Sequence, residues 1–170
     1  MSTQEHKREA PKSINCKIIT VSDTRNKDTD KSGKLMIELL EQSGHQISDY
    51  VIVKDEAIPI QDEILKGCNR EDIDAILING GTGIAKRDVT IETVKSLLNK
   101  EIVGFGELFR MLSYQEDIGS AAILSRAIAG VVNNRAVFST PGSTGAVKLA
   151  MNKLILPELG HVVREIKKDL

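Results

Sequence analysis

The sequence predicts an α/β fold whose sheet is mostly parallel. Residues 75–78 form an apolar run without polar alternation, which is typical of a strand buried on both faces beneath helices. Two glycine-rich segments, 80–83 and 139–145, each follow a predicted strand and precede a predicted helix. Loops in this position lie at the carboxyl edge of an α/β sheet, where ligands bind. The length of 170 residues suffices for one domain with its own core.

Strand and helix patterns alternate through the first hundred residues. The first strand is rich in β-branched residues, and Pro59 suits the first turn of a helix. The first long helix has one apolar face, and Gly44 is its expected terminator. The predicted strands cover 14–21, 47–53 and 75–78, and the predicted helices cover 33–44, 59–68 and 90–98.

The second half of the chain predicts a small β-hairpin between helices. Residues 101–106 are a predicted connection before a helix that contains 108–112. Strands at 128–132 and 135–139 are joined by Asn133 and Asn134, which tolerate turn geometry. Helices are then predicted at 146–154 and from Pro157 to a solvated end near 167–169.

The first thirteen residues differ from the rest of the chain. Residues 1–13 are charged and nearly without apolar side chains, which predicts a mobile N-terminal tail or an arm that orders only against a neighbouring subunit. Residues 14–170 are predicted to form the α/β domain. No internal repeat or low-complexity linker interrupts them.

The composition excludes several classes of partner. A formal net charge of −1, two tyrosines, three phenylalanines and no tryptophan offer neither the basic surface nor the stacking platform of a nucleic-acid-binding protein. No apolar run reaches the length of a membrane span, and the polar N-terminus lacks the features of a signal peptide. We therefore expect a cytoplasmic protein that binds neither nucleic acid nor membrane. Cys16 and Cys68 are interpreted as buried thiols, and the three scattered histidines as surface or structural residues.

The first glycine-rich loop is the strongest candidate site. Gly80, Gly81 and Gly83 surround Thr82, and glycines let backbone N–H groups approach an anion closely. The loop is neither a Walker loop nor a Gly-x-Gly-x-x-Gly dinucleotide loop. From the residues alone two interpretations stay open: a phosphate site at a helix start, or a tight turn that is rich in glycine.

The spacing of this loop resembles the signature of a known family. The loop Gly80–Gly83, four residues and then Asp88 is similar to the signature of the molybdopterin-binding family of molybdenum cofactor biosynthesis, which includes MoaB, MogA and a domain of gephyrin. The similarity covers 18–159. Asn79, the segment Ser22–Arg25 and a second loop without a second proline resemble the MoaB branch most. The resemblance implies a three-layer α/β/α sandwich with its site along the carboxyl edge of the sheet.

The resemblance also implies an activity. Family members bind molybdopterin, a pyranopterin with a dithiolene and a terminal phosphate, and MogA-like members adenylylate that phosphate with Mg-ATP and release pyrophosphate. Asp55 and Asp88 match the two catalytic aspartates and are the expected Mg²⁺ ligands, because Mg²⁺ takes carboxylate and phosphate oxygens. Ser22, Asp23 and Thr24 are candidates for the nucleotide side. The residues expected to bind the molybdopterin and nucleotide phosphates are Gly80, Gly81, Thr82, Gly83, Ser139, Pro141, Gly142 and Ser143.

Two functions stay open at this point. The first is an enzyme, molybdopterin adenylyltransferase, and the second is a non-catalytic protein that binds or carries molybdopterin or a precursor. Asp55 and Asp88 favour the enzyme, because a binder has less need of paired carboxylates near phosphates. Capping of the following helix is the alternative role for Asp88, and a plain solvated charge is the alternative for Asp55.

A homo-oligomer is the last expectation. The resemblance implies a homotrimer or a homohexamer built from trimers, and it allows contact with other molybdenum cofactor enzymes. The apolar segment 105–112 agrees with this, since one small core hides only part of it. The alternative for Phe105 and Phe109 is a place in the core.

Overall fold

The computed structural model describes residues 2–170 and contains one six-stranded sheet with helices on both faces. The strands are β1 (Asn15–Val21), β2 (Gln46–Val53), β3 (Ala75–Asn79), β4 (Lys100–Glu101), β5 (Ile128–Val132) and β6 (Arg135–Thr140). The helices are α1 (Thr3–Glu9), α2 (Lys31–Gln42), α3 (Ala57–Cys68), α4 (Thr90–Leu97), α5 (Val103–Glu116), α6 (Thr144–Ala150) and α7 (Leu156–Lys167). A 3₁₀ helix (Gly119–Leu124) precedes β5, and a π-helical segment (Met151–Ile155) joins α6 to α7.

The strand order places several strand ends beside one another. The sheet runs β2-β1-β3-β6-β5-β4, and β1, β2, β3 and β6 pair in parallel, whereas β5 is antiparallel to both its neighbours. The chain leaves β1 for β2 on one side and returns to β3 on the other, so the sheet has a switch point between β1 and β3. Ligand crevices form at such points, outside the carboxyl ends of the strands.

The two faces of the sheet bury different helices. Alternate strand residues point to opposite faces, so Ile18, Leu77 and Phe138 pack with α2, α5, α6 and α7. The neighbouring residues Ile19 and Ile78 pack with α3 and α4 instead. The predicted three-layer α/β/α sandwich, with its mostly parallel sheet and its β5-β6 hairpin, is therefore confirmed.

Several element boundaries differ from the predictions. Helix α2 begins at Lys31, earlier than predicted, because Asp30 caps it by accepting a hydrogen bond from the Gly33 amide. Helix α5 begins at Val103, inside the predicted connection, and the short strand β4 precedes it. The predicted break before Pro157 is a π-helical segment, so α6 and α7 are joined without a loop. The predicted hairpin turn has positive φ at Asn133 and Asn134.

The described part of the predicted tail contains a helix that lies on its own chain. Ser2 and Glu5 form a reciprocal capping pair at the start of α1. Ion pairs of Lys7 with Glu158 and of Glu9 with Arg164 join α1 to α7. Met1 lies outside the described residues, and the mobility of the segment stays a prediction.

Two further expectations concern the cysteines and the membrane. Cys16 and Cys68 are both buried and unpaired, as the sequence predicts. Burial raises the pKa of the Cys16 thiol to about 12, so this thiol stays protonated and unreactive at neutral pH. Among residues 2–170, no helix has the length and apolar character needed to cross a membrane.

Candidate functional site

The two glycine-rich loops meet at the carboxyl edge of the sheet. β3 and β6 are neighbours, and the Gly80 amide donates a hydrogen bond to the Thr140 carbonyl over 3.1 Å. A Cβ atom added to Gly142 would lie 3.1 Å from the Cα atom of Gly80. Gly80 itself has φ of +97°, and a Cβ there would lie 2.2 Å from the Val21 carbonyl oxygen. The two loops therefore contact one another through backbone atoms. A side chain at residue 142 would push the loops apart, and one at residue 80 would clash with the end of β1.

The two predicted catalytic carboxylates lie against the first loop. A Cβ atom on Gly83 would lie 2.5 Å from one carboxylate oxygen of Asp88, and one on Gly81 would lie 2.8 Å from Oδ1 of Asp55. The missing side chains of these glycines thus make room for the carboxylates. Asp88 accepts a hydrogen bond from the Ala85 amide over 3.0 Å, whereas α4 has no side-chain cap at its start. The helix-capping alternative for Asp88 is therefore wrong.

Asp55 lies among other negative charges. Burial raises the pKa of Asp55, and the charges of Asp88 and Asp23 raise it further, while a hydrogen bond from the Val89 amide acts in the opposite direction. A hydrogen bond donated by Arg87 lowers the pKa of Asp23, and Asp23 in turn accepts a hydrogen bond from the Asp55 amide. Asp55 is therefore no plain solvated charge, because it is half-buried beside two other carboxylates. Such a group gains from a nearby cation.

A pocket opens beside Asp55. Its volume is about 420 Å³, and its lining includes Asp55, Lys86, Arg87 and Val89. Lys86 is exposed at this pocket, while Arg87 contacts Asp23 and Glu56. Two cations next to a carboxylate are suited to a phosphate chain that also carries a divalent cation.

A buried network holds the second loop. The Gly142 carbonyl accepts hydrogen bonds from the Ser32 hydroxyl at 2.5 Å and from Arg25 at 3.1 Å. Arg25 also lies 3.7 Å from Asp30, which is fully buried and accepts a hydrogen bond from Tyr50. Burial, together with this contact to Asp30, raises the pKa of the Tyr50 hydroxyl. These contacts hold the second loop in a fixed position relative to the sheet.

Arg126 binds two carbonyl groups of the first loop. Its guanidinium donates to the Thr82 carbonyl over 3.0 Å and to the Gly83 carbonyl over 2.5 Å. Glu92 of α4 pairs with the same guanidinium. Arg126 thus binds the carbonyls of Thr82 and Gly83, whereas the Gly80 amide is bound to the Thr140 carbonyl.

The other predicted site residues have structural contacts of their own. The Ser22 hydroxyl accepts the Thr24 and Arg25 amides, and the Ser143 hydroxyl caps α6 by accepting the Ala146 amide. Pro141 and Gly142 are half-buried, whereas Ser139 is fully buried, and its hydroxyl has no hydrogen-bond partner among residues 2–170. The structure thus brings the loops and Asp23, Asp55 and Asp88 together but keeps Ser139 beneath the surface. The role of Ser139 in binding stays a prediction.

Three arginines of the site received no role from sequence reasoning. Arg25 is the last residue of the polar segment that follows β1, and a charged residue just after a strand can be recognised in the sequence. Arg87 precedes Asp88 directly, so its place in the loop is also a local signal. Arg126 lies more than forty residues from Thr82 in the chain, and no local pattern predicts that contact.

The comparisons with known proteins agree with this geometry. Residues 17–161 match the family model described as "Probable molybdopterin binding domain". The chain is 69% identical to "Molybdenum cofactor biosynthesis protein B" of Bacillus subtilis (strain 168), over 99% of each chain. A solved structure, "Crystal structure of Molybdenum cofactor biosynthesis protein B", is 62% identical with a TM-score of 0.92, covering 94% of this chain and 99% of that one. The "tungsten cofactor synthesizing protein MoaB from Pyrococcus furiosus" is 38% identical with a TM-score of 0.82, covering 93% of this chain and 99% of that one.

The raised pKa of Asp55 predicts a stability effect with a definite sign. The folded protein holds the Asp55 proton more tightly than the unfolded chain, so folding stability falls as pH rises from about 3.9 through the raised value. Asp55→Asn removes the charge and can still accept the Val89 amide. We expect this variant to unfold at a higher temperature than the parent at pH 7, with the difference shrinking towards pH 4.

A matched control is Asp23→Asn, because Arg87 lowers the pKa of Asp23. Its stabilising charge is present above the unfolded pKa, so this variant should unfold at a lower temperature than the parent at pH 7. Thermal unfolding between pH 4 and pH 8 measures both differences. A lower unfolding temperature for Asp55→Asn at pH 7 would contradict the assignment.

Proposed function

The chain belongs to the molybdopterin-binding family, and we propose that it adenylylates the terminal phosphate of molybdopterin with Mg-ATP. A role in molybdenum cofactor biosynthesis follows from the family and from the relatives; the transfer reaction is the proposal. The observation that supports it is the contact between the two glycine loops, with Asp55 and Asp88 beside the first. We expect the protein to act in the cytoplasm.

The reaction joins two anions. An oxygen of the molybdopterin phosphate attacks the α-phosphorus of ATP, a new P–O–P linkage forms, and the bond to the β-phosphate breaks so that pyrophosphate leaves. Amide groups of residues 81–83 and of Gly142 and Ser143 bind the molybdopterin phosphate and offset part of its charge without a proton. The protein contributes chiefly by holding both phosphates in place, which is the main requirement of this class of transfer.

The donor set around Asp55 fits Mg²⁺. Mg²⁺ takes oxygen ligands, and it usually uses one or two carboxylates together with phosphate oxygens and water. The negative charge of Asp88 contributes to the raised pKa of Asp55, so a divalent cation would relieve the repulsion between the two carboxylates. When bound, Mg²⁺ supplies positive charge to the ATP phosphates.

The nucleotide side of the cleft is the pocket next to Asp55. Lys86 and Arg87 line it with Asp55, so cationic and metal-binding groups face the same space. We assign the β- and γ-phosphates of ATP to this pocket. Arg87 is held by Asp23, and Asp23 therefore acts by positioning a cation.

A non-catalytic binding or carrier protein is the second candidate. One observation favours it: Asp88 accepts the Ala85 amide, so a loop-shaping role accounts for this carboxylate without any metal. Such a protein would bind molybdopterin or a precursor through the same glycine loops and would have no turnover with ATP.

We also propose that the protein is a homo-oligomer, a trimer or a hexamer of trimers. Phe105 and Phe109 are buried in the core, in agreement with the core alternative for these two residues. Other apolar side chains of α5 and the adjoining 3₁₀ helix are exposed, among them Met111 at 49% and Ile123 at 84%. An exposed apolar surface of this kind on a small domain favours contact with another copy.

Asp88→Asn separates the two candidate functions. The asparagine can still accept the Ala85 amide, so the fold should survive, but the charge assigned to Mg²⁺ is gone. We expect turnover to fall by a factor of about a hundred, or roughly 3 kcal/mol in barrier. Molybdopterin affinity should change little, because loop amides bind its phosphate. Adenylylation and molybdopterin binding are measured for both proteins at saturating Mg-ATP.

The control for this experiment is Asp62→Asn, which makes the same change at an exposed position of α3 and should leave turnover unchanged. Equal turnover in the parent and in Asp88→Asn would remove Asp88 from the mechanism. A parent that binds molybdopterin but never adenylylates it would establish the carrier instead.

The oligomer predicts a mass well above that of one chain. Light scattering at micromolar concentration should give three or six times the 18.6 kDa of the chain. Met111→Glu places a charge on the exposed face of α5 and should shift the mass downward. Ile58→Glu is the control, since Ile58 is also exposed but lies on α3 in the opposite layer. A monomeric parent would contradict the proposal.

A further inference from the structure

A second group of potential metal ligands lies on α1 and α7, outside the glycine loops. His6 of α1 meets His161 and Glu165 of α7, and one ligand atom from each lies within 4.8 Å of the others. We name these three residues the histidine cluster. We propose that the histidine cluster binds a divalent transition-metal cation of the Zn²⁺ type, and that the bound ion fastens α1 to α7.

The fold, and not the sequence, creates this cluster. His161 and Glu165 are four residues apart on α7, so they lie on the same face of the helix. His6 is more than 150 positions away in the chain and arrives because α1 packs against that face. The spacing of these histidines in the sequence predicts no metal site, and for this reason the sequence alone indicates surface or structural histidines.

The distances within the histidine cluster suit a small metal ion. Nδ1 of His6 lies 3.1 Å from Oε1 of Glu165. Two ligands on one tetrahedral Zn²⁺, each about 2.0–2.1 Å from the ion, are about 3.3 Å apart. This separation is therefore close to the one that a bound ion needs. His161 offers the third ligand atom, within 4.8 Å of the other two.

A further carboxylate orients His161. Nδ1 of His161 lies 3.0 Å from Oε2 of Glu158, so a proton on Nδ1 leaves Nε2 free as a ligand. Metal-bound histidines commonly make this contact to a carboxylate with the ring nitrogen that does not bind the metal.

The two helices are held together without the metal. Lys7 pairs with Glu158 and Glu9 pairs with Arg164, and Lys7 and Glu9 both follow His6 closely in the sequence. Gly160 allows the close approach, because a Cβ there would lie 2.6 Å from the Pro11 carbonyl oxygen. The ligands are therefore brought near their binding positions by the fold, which lowers the cost of binding.

Neighbouring cations limit the expected affinity. Arg164 donates to Oε1 of Glu165 and Lys168 donates to Oε2, over 2.8 and 2.7 Å. A bound ion competes with these groups for the carboxylate. We therefore expect binding weaker than that of a closed site with four protein ligands. Two imidazoles favour Zn²⁺, Co²⁺ or Ni²⁺ over Mg²⁺ and Ca²⁺, which prefer oxygen ligands.

The test uses the full-length protein without an affinity tag, after treatment with a chelator. Co²⁺ serves as a coloured probe, and Zn²⁺ is then added to displace it. The parent should bind one Co²⁺ per chain with a visible absorption band, lose the band on addition of Zn²⁺ and keep it on addition of Mg²⁺. His6→Gln and His161→Gln should each weaken Zn²⁺ binding by at least about tenfold.

His45→Gln is the matched control, because His45 is the third histidine of the chain and lies outside the cluster. It should bind as the parent does. Trypsin provides a second readout: Zn²⁺ should slow cleavage after Lys7 and Arg8 in the parent and in His45→Gln, but not in His6→Gln. Absence of Zn²⁺ binding in the parent would overturn the proposal. So would unchanged binding in both His6→Gln and His161→Gln, which would leave only an adventitious surface ion.

Discussion

The site depends on the glycines of its two loops, because atoms of neighbouring residues occupy the space that a Cβ atom would fill at these positions. Asp88 lies where a side chain of residue 83 would be, and Asp55 lies beside the corresponding position of Gly81. The same requirement holds between the loops, where Gly142 meets the backbone of Gly80. Each glycine thus makes room for a specific neighbour. The backbone of the glycine loops and the carboxylates of Asp55 and Asp88 share one small space for this reason.

Charge balance holds these loops in position. Arg126 donates hydrogen bonds to carbonyls of the first loop and forms an ion pair with Glu92. Arg25 donates a hydrogen bond to the Gly142 carbonyl and lies beside Asp30. Both arginines therefore hold a loop through its carbonyl groups. Asp55 is the exception, because its charge is poorly balanced within the protein. An uncompensated charge in a cleft is typical of a functional group.

Much of the fold and of the site could be predicted from the sequence. The apolar run of β3, the β-branched residues of β1 and the position of each glycine loop between a strand and a helix have local patterns, and these elements are confirmed. The start of α5 was missed because Gly104 and Gly106 disfavour a helix; Gly106 belongs there since a Cβ would lie 2.8 Å from the Ala127 carbonyl oxygen. The contacts of Arg126 and of the histidine cluster join distant parts of the chain, so no local pattern predicts them.

If the two glycine loops form one phosphate site, as we propose, a crystal structure of the protein with molybdopterin bound will show it directly. We expect the terminal phosphate to accept hydrogen bonds from amides of both loops, from residues 81–83 and from Gly142 or Ser143, with Asp55 and Asp88 beside it. A phosphate bound by one loop alone, or molybdopterin bound at another surface of the protein, would contradict the proposal.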